Sequence, residues 1–136
     1  MVTGGAGFIG SNYVDRLIRR GKQVTIFDNF SRAGATRNLE WLENNHGKHA
    51  FKLVIGDVRN QQAVQTTARD ADVILHLAAQ VAVTTSVIDP RTDFEINAQG
   101  TFNVLEAARL SGRQPVVLYA STNKVYGGME LSLIHI

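Results

Sequence analysis

The glycine-rich stretch near the N-terminus restricts the fold more than any other feature. It reads T-G-G-A-G-F-I-G from Thr3 to Gly10. The first glycine lets the chain turn off a strand, the second lets a diphosphate approach the backbone, and the third lets a helix pack close to a sheet. The N-terminus of that helix would offer free N–H groups to phosphates. The stretch predicts a phosphate-binding strand–turn–helix unit, with an ordinary turn as the alternative, and its candidate binding residues are Gly4, Gly7, Phe8, Ile9 and Gly10.

Composition excludes several functional classes. The 136 residues are 44% hydrophobic and 19% charged, which is typical of a single globular domain. No run approaches the ~20 apolar residues of a membrane span and no signal peptide precedes the glycine stretch, so we expect a cytoplasmic protein. A net charge of +2 with scattered basic residues gives no reason to expect nucleic-acid or membrane binding. There is no cysteine, and no second ligand lies at metal-ligand spacing from any histidine, so we expect no metal.

Hydrophobic periodicity alternates between strand and helix along the whole chain. The pattern predicts helices over 9–20, 37–45, 60–69 and 90–111, strands over 1–3, 23–28, 51–55, 73–77 and 114–120, and a loop or short helix over 81–89. In the first helix, Ile9, Tyr13 and Leu17 form the expected apolar stripe. Because right-handed crossovers connect parallel strands, the chain is expected to form an α/β, doubly wound parallel sheet of about five strands in the order 3-2-1-4-5.

Asp28, at the end of the second predicted strand, follows Gly10 by one helix and one strand. This spacing brings its carboxylate beside the glycine turn, where it could accept hydrogen bonds from both hydroxyls of a ribose. The same charge would repel a 2′-phosphate and so favours NAD over NADP, although the guanidinium of Arg32 could accommodate that phosphate. A helix or turn cap is the other interpretation of Asp28. Asn29 and Ser31 complete the candidate set in this loop.

Further candidates follow the ends of the next three strands, where ligands bind in open α/β sheets. Asp57 could accept a hydrogen bond from an adenine amino group or cap the next helix. Small residues at Ala78 and Ala79 would leave room for a ribose and a nicotinamide. His76 is predicted to be a buried strand residue with a satisfied hydrogen bond rather than a catalyst. The remaining cofactor-binding candidates are Val58, Leu77, Gln80, Asn97, Ala120 and Ser121.

These motifs together resemble one family. T-G-G-A-G-F-I-G, Asp28, G-D-V-R, H-L-A-A-Q, the Asn97 of E-I-N-A-Q-G-T-F-N-V-L-E-A-A and S-T-N-K-V-Y-G look like an extended short-chain dehydrogenase/reductase, and more narrowly like the NAD-dependent nucleotide-sugar epimerases and dehydratases. The resemblance covers nearly all of 1–130. It implies a Rossmann fold, an NAD cofactor and a nucleotide-sugar substrate. Within the family, the chain is most similar to enzymes that epimerise C2 of a CDP-linked deoxyhexose, and a UDP-glucose 4-epimerase-like enzyme is the alternative.

The resemblance also implies roles near the end of the chain. Thr122 corresponds to the hydroxyl that hydrogen-bonds the sugar oxygen being oxidised. In the 4,6-dehydratases an Asp and a Glu follow this Thr, whereas this chain has Asn123 and Lys124, which favours hydride removal and return without loss of water. Substrate-binding candidates are Thr84, Thr85, Ser86, Asn123 and Lys124. The family's base is the Tyr of a Tyr-x-x-x-Lys pair, which does not occur in these 136 residues.

We therefore expect 1–130 to be the N-terminal, NAD-binding part of a longer protein, with much of its first strand missing. The fragment alone is expected to be inactive, as a non-catalytic dinucleotide-binding module. Residues 131–136 do not continue the preceding pattern and resemble the translation of a transposon-end sequencing adapter, so we expect a non-native read-through tail, with a genuine short strand as the alternative. The resemblance implies that the helix around 91–110 packs in a homo-oligomer, but a helix covering one sheet face needs no partner.

Overall fold

The structure, a computed structural model, describes residues 1–122 and has a five-stranded parallel sheet at its centre. The strands lie in the order β3-β2-β1-β4-β5, as predicted. They are β1 (Val2–Thr3), β2 (Thr25–Asp28), β3 (Lys52–Ile55), β4 (Val73–His76) and β5 (Val116–Tyr119). The predicted doubly wound α/β sheet, a Rossmann-like fold, is confirmed.

The helices cover both faces of this sheet. They are α1 (Phe8–Arg19), α2 (Ala35–His46), α3 (Gln61–Ala68), α4 (Val83–Ile88), α5 (Pro90–Phe94) and α6 (Gly100–Leu110). The predicted continuous helix over 90–111 is instead α5 and α6 joined by a π-helical turn, Glu95–Gln99. A π-turn inserts one extra residue into a helix, and hydrophobic periodicity does not reveal it. No helix among the described residues is long and apolar enough to cross a membrane.

Two apolar clusters form the core, one on each face of the sheet. Successive strand residues point to opposite faces, so the adjacent residues Ile26 and Phe27 belong to different clusters. Phe27 packs with the side chains of α3 and α6, including Val64 and Val104. Ile26 packs with Val14 of α1 and with α2. The sheet is thereby held between two helical layers, with the carboxyl ends of its parallel strands at the same edge as the glycine turn.

The predicted apolar stripe of α1 is wrong in part. Ile9 is 67% exposed and Tyr13 is 39% exposed, whereas Gly10, Ser11 and Val14 are buried. Gly10 fixes this rotation, because a Cβ atom there would overlap the carbonyl oxygen of Gly4. The helix therefore presents its glycine, rather than its bulky first turn, to the turn that precedes it. Leu17 keeps a partly buried place against the core.

Candidate functional site

The glycine turn lies between the carboxyl ends of β1, β2 and β4. Gly4 has a φ of +67° and donates its N–H to the carbonyl oxygen of Phe27 at 2.9 Å. A Cβ at Gly4 would lie 2.8 Å from the backbone nitrogen of Ala78, so the turn touches the end of β4. Gly7 closes the turn by donating its N–H to the Gly4 carbonyl at 3.0 Å. Glycine is thus required at position 4 both by the backbone conformation and by close contact.

The N-terminus of α1 is open in a way that suits a phosphate. Gly7 is the N-cap in extended conformation, and it supplies no side chain to bond the N–H groups of the first turn. A Cβ at Gly7 would meet only the Gly4 carbonyl oxygen, at 3.1 Å, so the space on its outer side is clear. Phe8 is 80% exposed beside it. Uncapped N–H groups at the positive end of a helix favour an anion, and the residues present fit a dinucleotide diphosphate.

The structure places the carboxylate of Asp28 against the turn, as its spacing predicted. Oδ2 accepts a hydrogen bond from the Ala6 N–H at 3.0 Å, and Oδ1 accepts one from the Phe30 N–H at 2.9 Å. Phe30 has a φ of +56°, which this local bond helps to hold. Asp28 therefore serves as a turn cap, and each oxygen retains a lone pair that a ribose hydroxyl could use. Its predicted role at the cofactor stays a prediction.

Beside this loop, Asp57 belongs to a small charged cluster. Its carboxylate accepts hydrogen bonds from the Arg59 guanidinium at 2.8 and 3.0 Å and from the Asn29 side chain at 2.9 Å. The bond from Arg59 is the main cause that lowers the pKa of Asp57 to about 2, so the group is an anion at neutral pH. The capping alternative for Asp57 is wrong, since Asn60 is the N-cap of α3 and its side chain accepts from the Ala63 N–H.

The sequence reasoning gave Arg59 no role. It orients the Asp57 carboxylate and also lies 3.7 Å from a carboxylate oxygen of Glu95 in the π-turn. The sequence spacing did not reveal that two carboxylates lie near the Arg59 guanidinium, because Glu95 is distant from Arg59 in sequence. The available signal was that Arg59 follows Asp57 by two residues.

His76 is buried, as predicted, and both ring nitrogens are bonded. Nδ1 lies 2.6 Å from the Thr3 hydroxyl and Nε2 lies 3.0 Å from the Thr101 hydroxyl. Thr101 donates its own proton to the Asn97 carbonyl, so Nε2 must carry the imidazole proton. Thr3 accepts from the N–H groups of Leu77 and Ala78 and donates to Nδ1. The neutral imidazole therefore joins β1, β4 and α6 near the carboxyl ends of the two strands, and its burial lowers the pKa of His76 to about 4.

Asn97 holds the loop that follows β4. Its amide oxygen accepts from the Gln80 N–H at 2.9 Å, and its Nδ2 donates to the Gln80 carbonyl at 3.0 Å and to Asp93 at 3.1 Å. Both amide hydrogens are used within the protein, which leaves only the oxygen able to bond a ligand. Gln80 is in turn 3.5 Å from the Arg32 guanidinium, across the opening from the β2–α2 loop.

The remaining candidate residues lie in three places: at the end of β5, on α4, and beyond the described residues. Ala120 donates its N–H to the His76 carbonyl at 3.2 Å, so the chain leaves β5 beside β4, with Ser121 and Thr122 exposed at that end. The predicted residues Thr84, Thr85 and Ser86 lie on the exposed short helix α4. Asn123 and Lys124 lie outside the described residues, as does the predicted tail 131–136. Within residues 1–122 there is no cluster of three or more side chains that could hold a metal ion.

The chain is similar in sequence to proteins of known function. A family model described as GDP-mannose 4,6 dehydratase matches residues 1–135. The CDP-paratose 2-epimerase of Salmonella typhi is 46% identical over 132 residues, which are 96% of this chain and 38% of that protein. The UDP-glucose 4-epimerase of Mycolicibacterium smegmatis is 42% identical over 93% of this chain and 40% of its own length. The chain thus spans about two fifths of these relatives.

A solved structure is similar at the level of the fold. The UDP-glucose 4-epimerase of Thermus thermophilus, crystallised with NAD, superposes with a TM-score of 0.69 at 38% identity over 82% of this chain and 33% of that one. Sequence and structure comparisons therefore agree on a single group of relatives.

Proposed function

This chain belongs to the NAD-dependent epimerase/dehydratase family, and we propose that it is the cofactor-binding part of an NAD-dependent nucleotide-sugar epimerase. The observation that carries the proposal is the uncapped N-terminus of α1 next to the Asp28 carboxylate, which is bonded to the Ala6 N–H at 3.0 Å. A diphosphate site and a ribose acceptor side by side are what a dinucleotide requires.

NAD would lie along the carboxyl ends of the strands. Its diphosphate would bind the first turn of α1 at Gly7, and its adenosine ribose would bond Asp28. The adenine would lie by Asp57 and Val58, and the nicotinamide by the loop from Leu77 to Gln80. The cofactor supplies a hydride acceptor when it is bound. The chain's own contribution is to bind and orient it, through backbone N–H groups and one carboxylate.

The chemistry on the sugar would use few residues of this chain. We place Thr122 at the sugar oxygen, where its hydroxyl would hold that oxygen while the carbon–hydrogen bond is broken. No Tyr-x-x-x-Lys pair is present to remove the alcohol proton. The 136 residues alone are therefore proposed to bind the cofactor without catalysing epimerisation, and the base is assigned to a further part of a longer protein.

The proposed substrate is a CDP-linked deoxyhexose, epimerised at C2. Asn123 and Lys124 after Thr122 support epimerisation over dehydration, and the 46% identity to a CDP-paratose 2-epimerase supports this sugar nucleotide. The alternative is UDP-glucose 4-epimerase activity, which 42% identity to such an enzyme supports. The protein encoded by the complete gene, assayed on CDP-paratose and on UDP-galactose, separates the two. Turnover of UDP-galactose alone would reject the C2 proposal.

Cofactor binding can be tested on the chain itself. We expect calorimetry to show tighter binding of NAD than of NADP, because the Asp28 carboxylate would repel a 2′-phosphate. Asp28→Ala should weaken NAD binding about tenfold or more, because it removes one charge-assisted pair with the ribose and also the bond that holds the Ala6 N–H. It should weaken NADP binding less. The matched control is Asp70→Ala, at an exposed site after α3 and before β4. Tighter binding of NADP by the unmodified chain would contradict the assignment and favour Arg32 as the determinant.

An exposed apolar surface accompanies the helices on one side. Phe94, Phe102 and Leu105 are 64%, 60% and 50% exposed. Large exposed apolar side chains are typical of interaction surfaces when they are contiguous, and Phe102 and Leu105 are three residues apart on α6, which puts them on one side of that helix. We propose that this face packs against a second copy in the complete protein, and sedimentation of the protein with Phe102→Glu tests it. A dimer that persists unchanged in the variant would reject this surface.

A further inference from the structure

We propose that Asn38 is a positioning residue that fixes the phosphate-binding turn from the helix opposite it. Asn38 lies in the first turn of α2, and its Nδ2 donates a hydrogen bond to the carbonyl oxygen of Ala6 at 2.8 Å. Ala6 belongs to the glycine turn and has no exposed surface. This inference rests on the proposed role of that turn in binding NAD.

The Ala6 backbone is held from both directions. Its N–H is bonded to Asp28 at the end of β2, and its C=O is bonded to Asn38 of α2. The Ala6 carbonyl and the Gly7 N–H share one planar peptide group. Because Gly7 is the N-cap of α1, the orientation of this peptide sets the direction in which the helix begins. Asn38 therefore controls where the N–H groups of the first turn point.

Helix α2 is attached to the rest of the fold by contacts other than Asn38. Near its C-terminus, His46 Nε2 lies 2.7 Å from Asp15 Oδ1 on α1, with both side chains mostly buried. Leu42 is fully buried in the core cluster shared with α1. The helix is thus attached to α1 at one end and to the glycine turn at the other. Because α2 is attached at both ends, the hydrogen bond from Asn38 can hold the Ala6 peptide in one orientation relative to the core.

Loss of the Asn38 donor leaves the Ala6 carbonyl buried without this bond, which is costly unless the turn moves to reach water. Movement of the turn would misalign the diphosphate site. Asn38→Leu keeps similar volume and no donor, so we expect the dissociation constant for NAD to rise about tenfold. In the unliganded chain we expect amide exchange at Gly7 to accelerate by a similar factor of about ten, through local opening. Asn45→Leu is the control, on the exposed side of the same helix.

A second variant separates positioning from general stability. The side chain introduced by Asn38→Asp has nearly the shape of asparagine, but its carboxylate cannot donate to the Ala6 carbonyl at pH 7. We therefore expect weak NAD binding by Asn38→Asp and faster amide exchange at Gly7 than in the unmodified chain. Amide exchange in strand β2 should stay unchanged, which distinguishes a local displacement of the turn from a general loss of stability. Asn45→Asp should follow the unmodified chain in both measurements.

The outcomes are distinguishable. Unchanged NAD affinity in a folded Asn38→Leu variant, or unchanged NAD affinity of Asn38→Asp at pH 7, would overturn the positioning role. If Asn38→Leu does not fold, NAD affinity and the comparison of amide exchange at Gly7 and in β2 in Asn38→Asp decide the matter. If the unmodified chain does not bind NAD, the proposed function fails. In that case faster exchange at Gly7 in Asn38→Asp at pH 7 still supports the positioning role, and unchanged exchange overturns it.

Discussion

Acidification should destabilise the chain through a single buried histidine. His76 is 1% exposed, and its neutral ring bonds Thr3 through Nδ1 and Thr101 through Nε2. A second ring proton on Nδ1 would face the Thr3 hydroxyl, which already accepts two backbone N–H bonds and donates its own proton to this nitrogen. Protonation therefore breaks a satisfied bond and buries a charge, both of which oppose it.

The size of the effect follows from the two pKa values. The pKa of His76 falls from 6.5 to about 4 on folding because of burial. Between these values the unfolded chain binds a proton that the folded chain does not, so stability decreases as the pH falls. The loss amounts to about 2 kcal/mol at pH 5 and about 3 kcal/mol at pH 4. Well above the unfolded pKa this contribution is fully retained.

Urea unfolding followed by circular dichroism, at pH values from 7 to 4, measures the loss. The control is His76→Gln, whose side-chain amide has an oxygen that can accept from Thr3 and an NH₂ group that can donate to Thr101 but does not titrate. We expect the unmodified chain to lose about 3 kcal/mol more than this variant over that range. Equal pH dependence of the two proteins would refute the reasoning, as would an NMR titration in which the His76 ring protonates near its unfolded value.

Two further predictions concern the glycine turn and the capping of α3. Gly10→Ala should destabilise the chain by about 3 kcal/mol or prevent folding, because its Cβ would overlap the Gly4 carbonyl. Gly7→Ala, whose Cβ would meet the Gly4 carbonyl oxygen at 3.1 Å and no other neighbour, should cost less stability, fold and lose NAD affinity. Equal stability losses in urea unfolding would contradict this distinction. Asn60→Ala should cost about 1 kcal/mol by removing the N-cap, whereas Asn60→Asp should cost little. A cost as large for Asn60→Asp would show that capping is not the cause.

The sheet order and the position of Asp28 beside the glycine turn were predictable because each depends on features that are local in sequence. Alternating strand and helix patterns with right-handed crossovers leave few topologies. The eighteen residues from Gly10 to Asp28 fit one helix and one strand, and this distance brought the carboxylate to the turn. The fold of 1–122 and the position of Asp28 therefore followed from the sequence.

Contacts between side chains and distant backbone groups were not predictable in the same way. Asn38, Arg59 and Thr101 each act on a segment far away in the chain, and their partners are defined only after the helices have packed. An Asn or Thr on a helix bonds solvent as readily as a carbonyl, so residue type carries little information. The rotation of α1 was not predicted for a related reason. Gly10 lies so close to the Gly4 carbonyl oxygen that no side chain fits there, and this contact, rather than the apolar stripe, decides which face of α1 is buried.

The glycine turn and the carboxyl end of β5 differ in how completely their polar and apolar groups are paired or covered by the described residues. At the glycine turn the inward-facing groups are paired: Asp28 and Asn38 hold Ala6, and no buried side-chain polar atom among the described residues lacks a partner. Binding a diphosphate there would need only the outward N–H groups of α1. At the other side, β5 is an edge strand of the sheet that residues 1–122 form, and Leu118 and Tyr119 are 47% and 56% exposed just before Thr122. Unpaired edges and apolar side chains require covering structure. The described residues thus pair the groups around the glycine turn more completely than those beside β5. We therefore expect the 136 residues to bind the proposed cofactor without catalysing the proposed epimerisation.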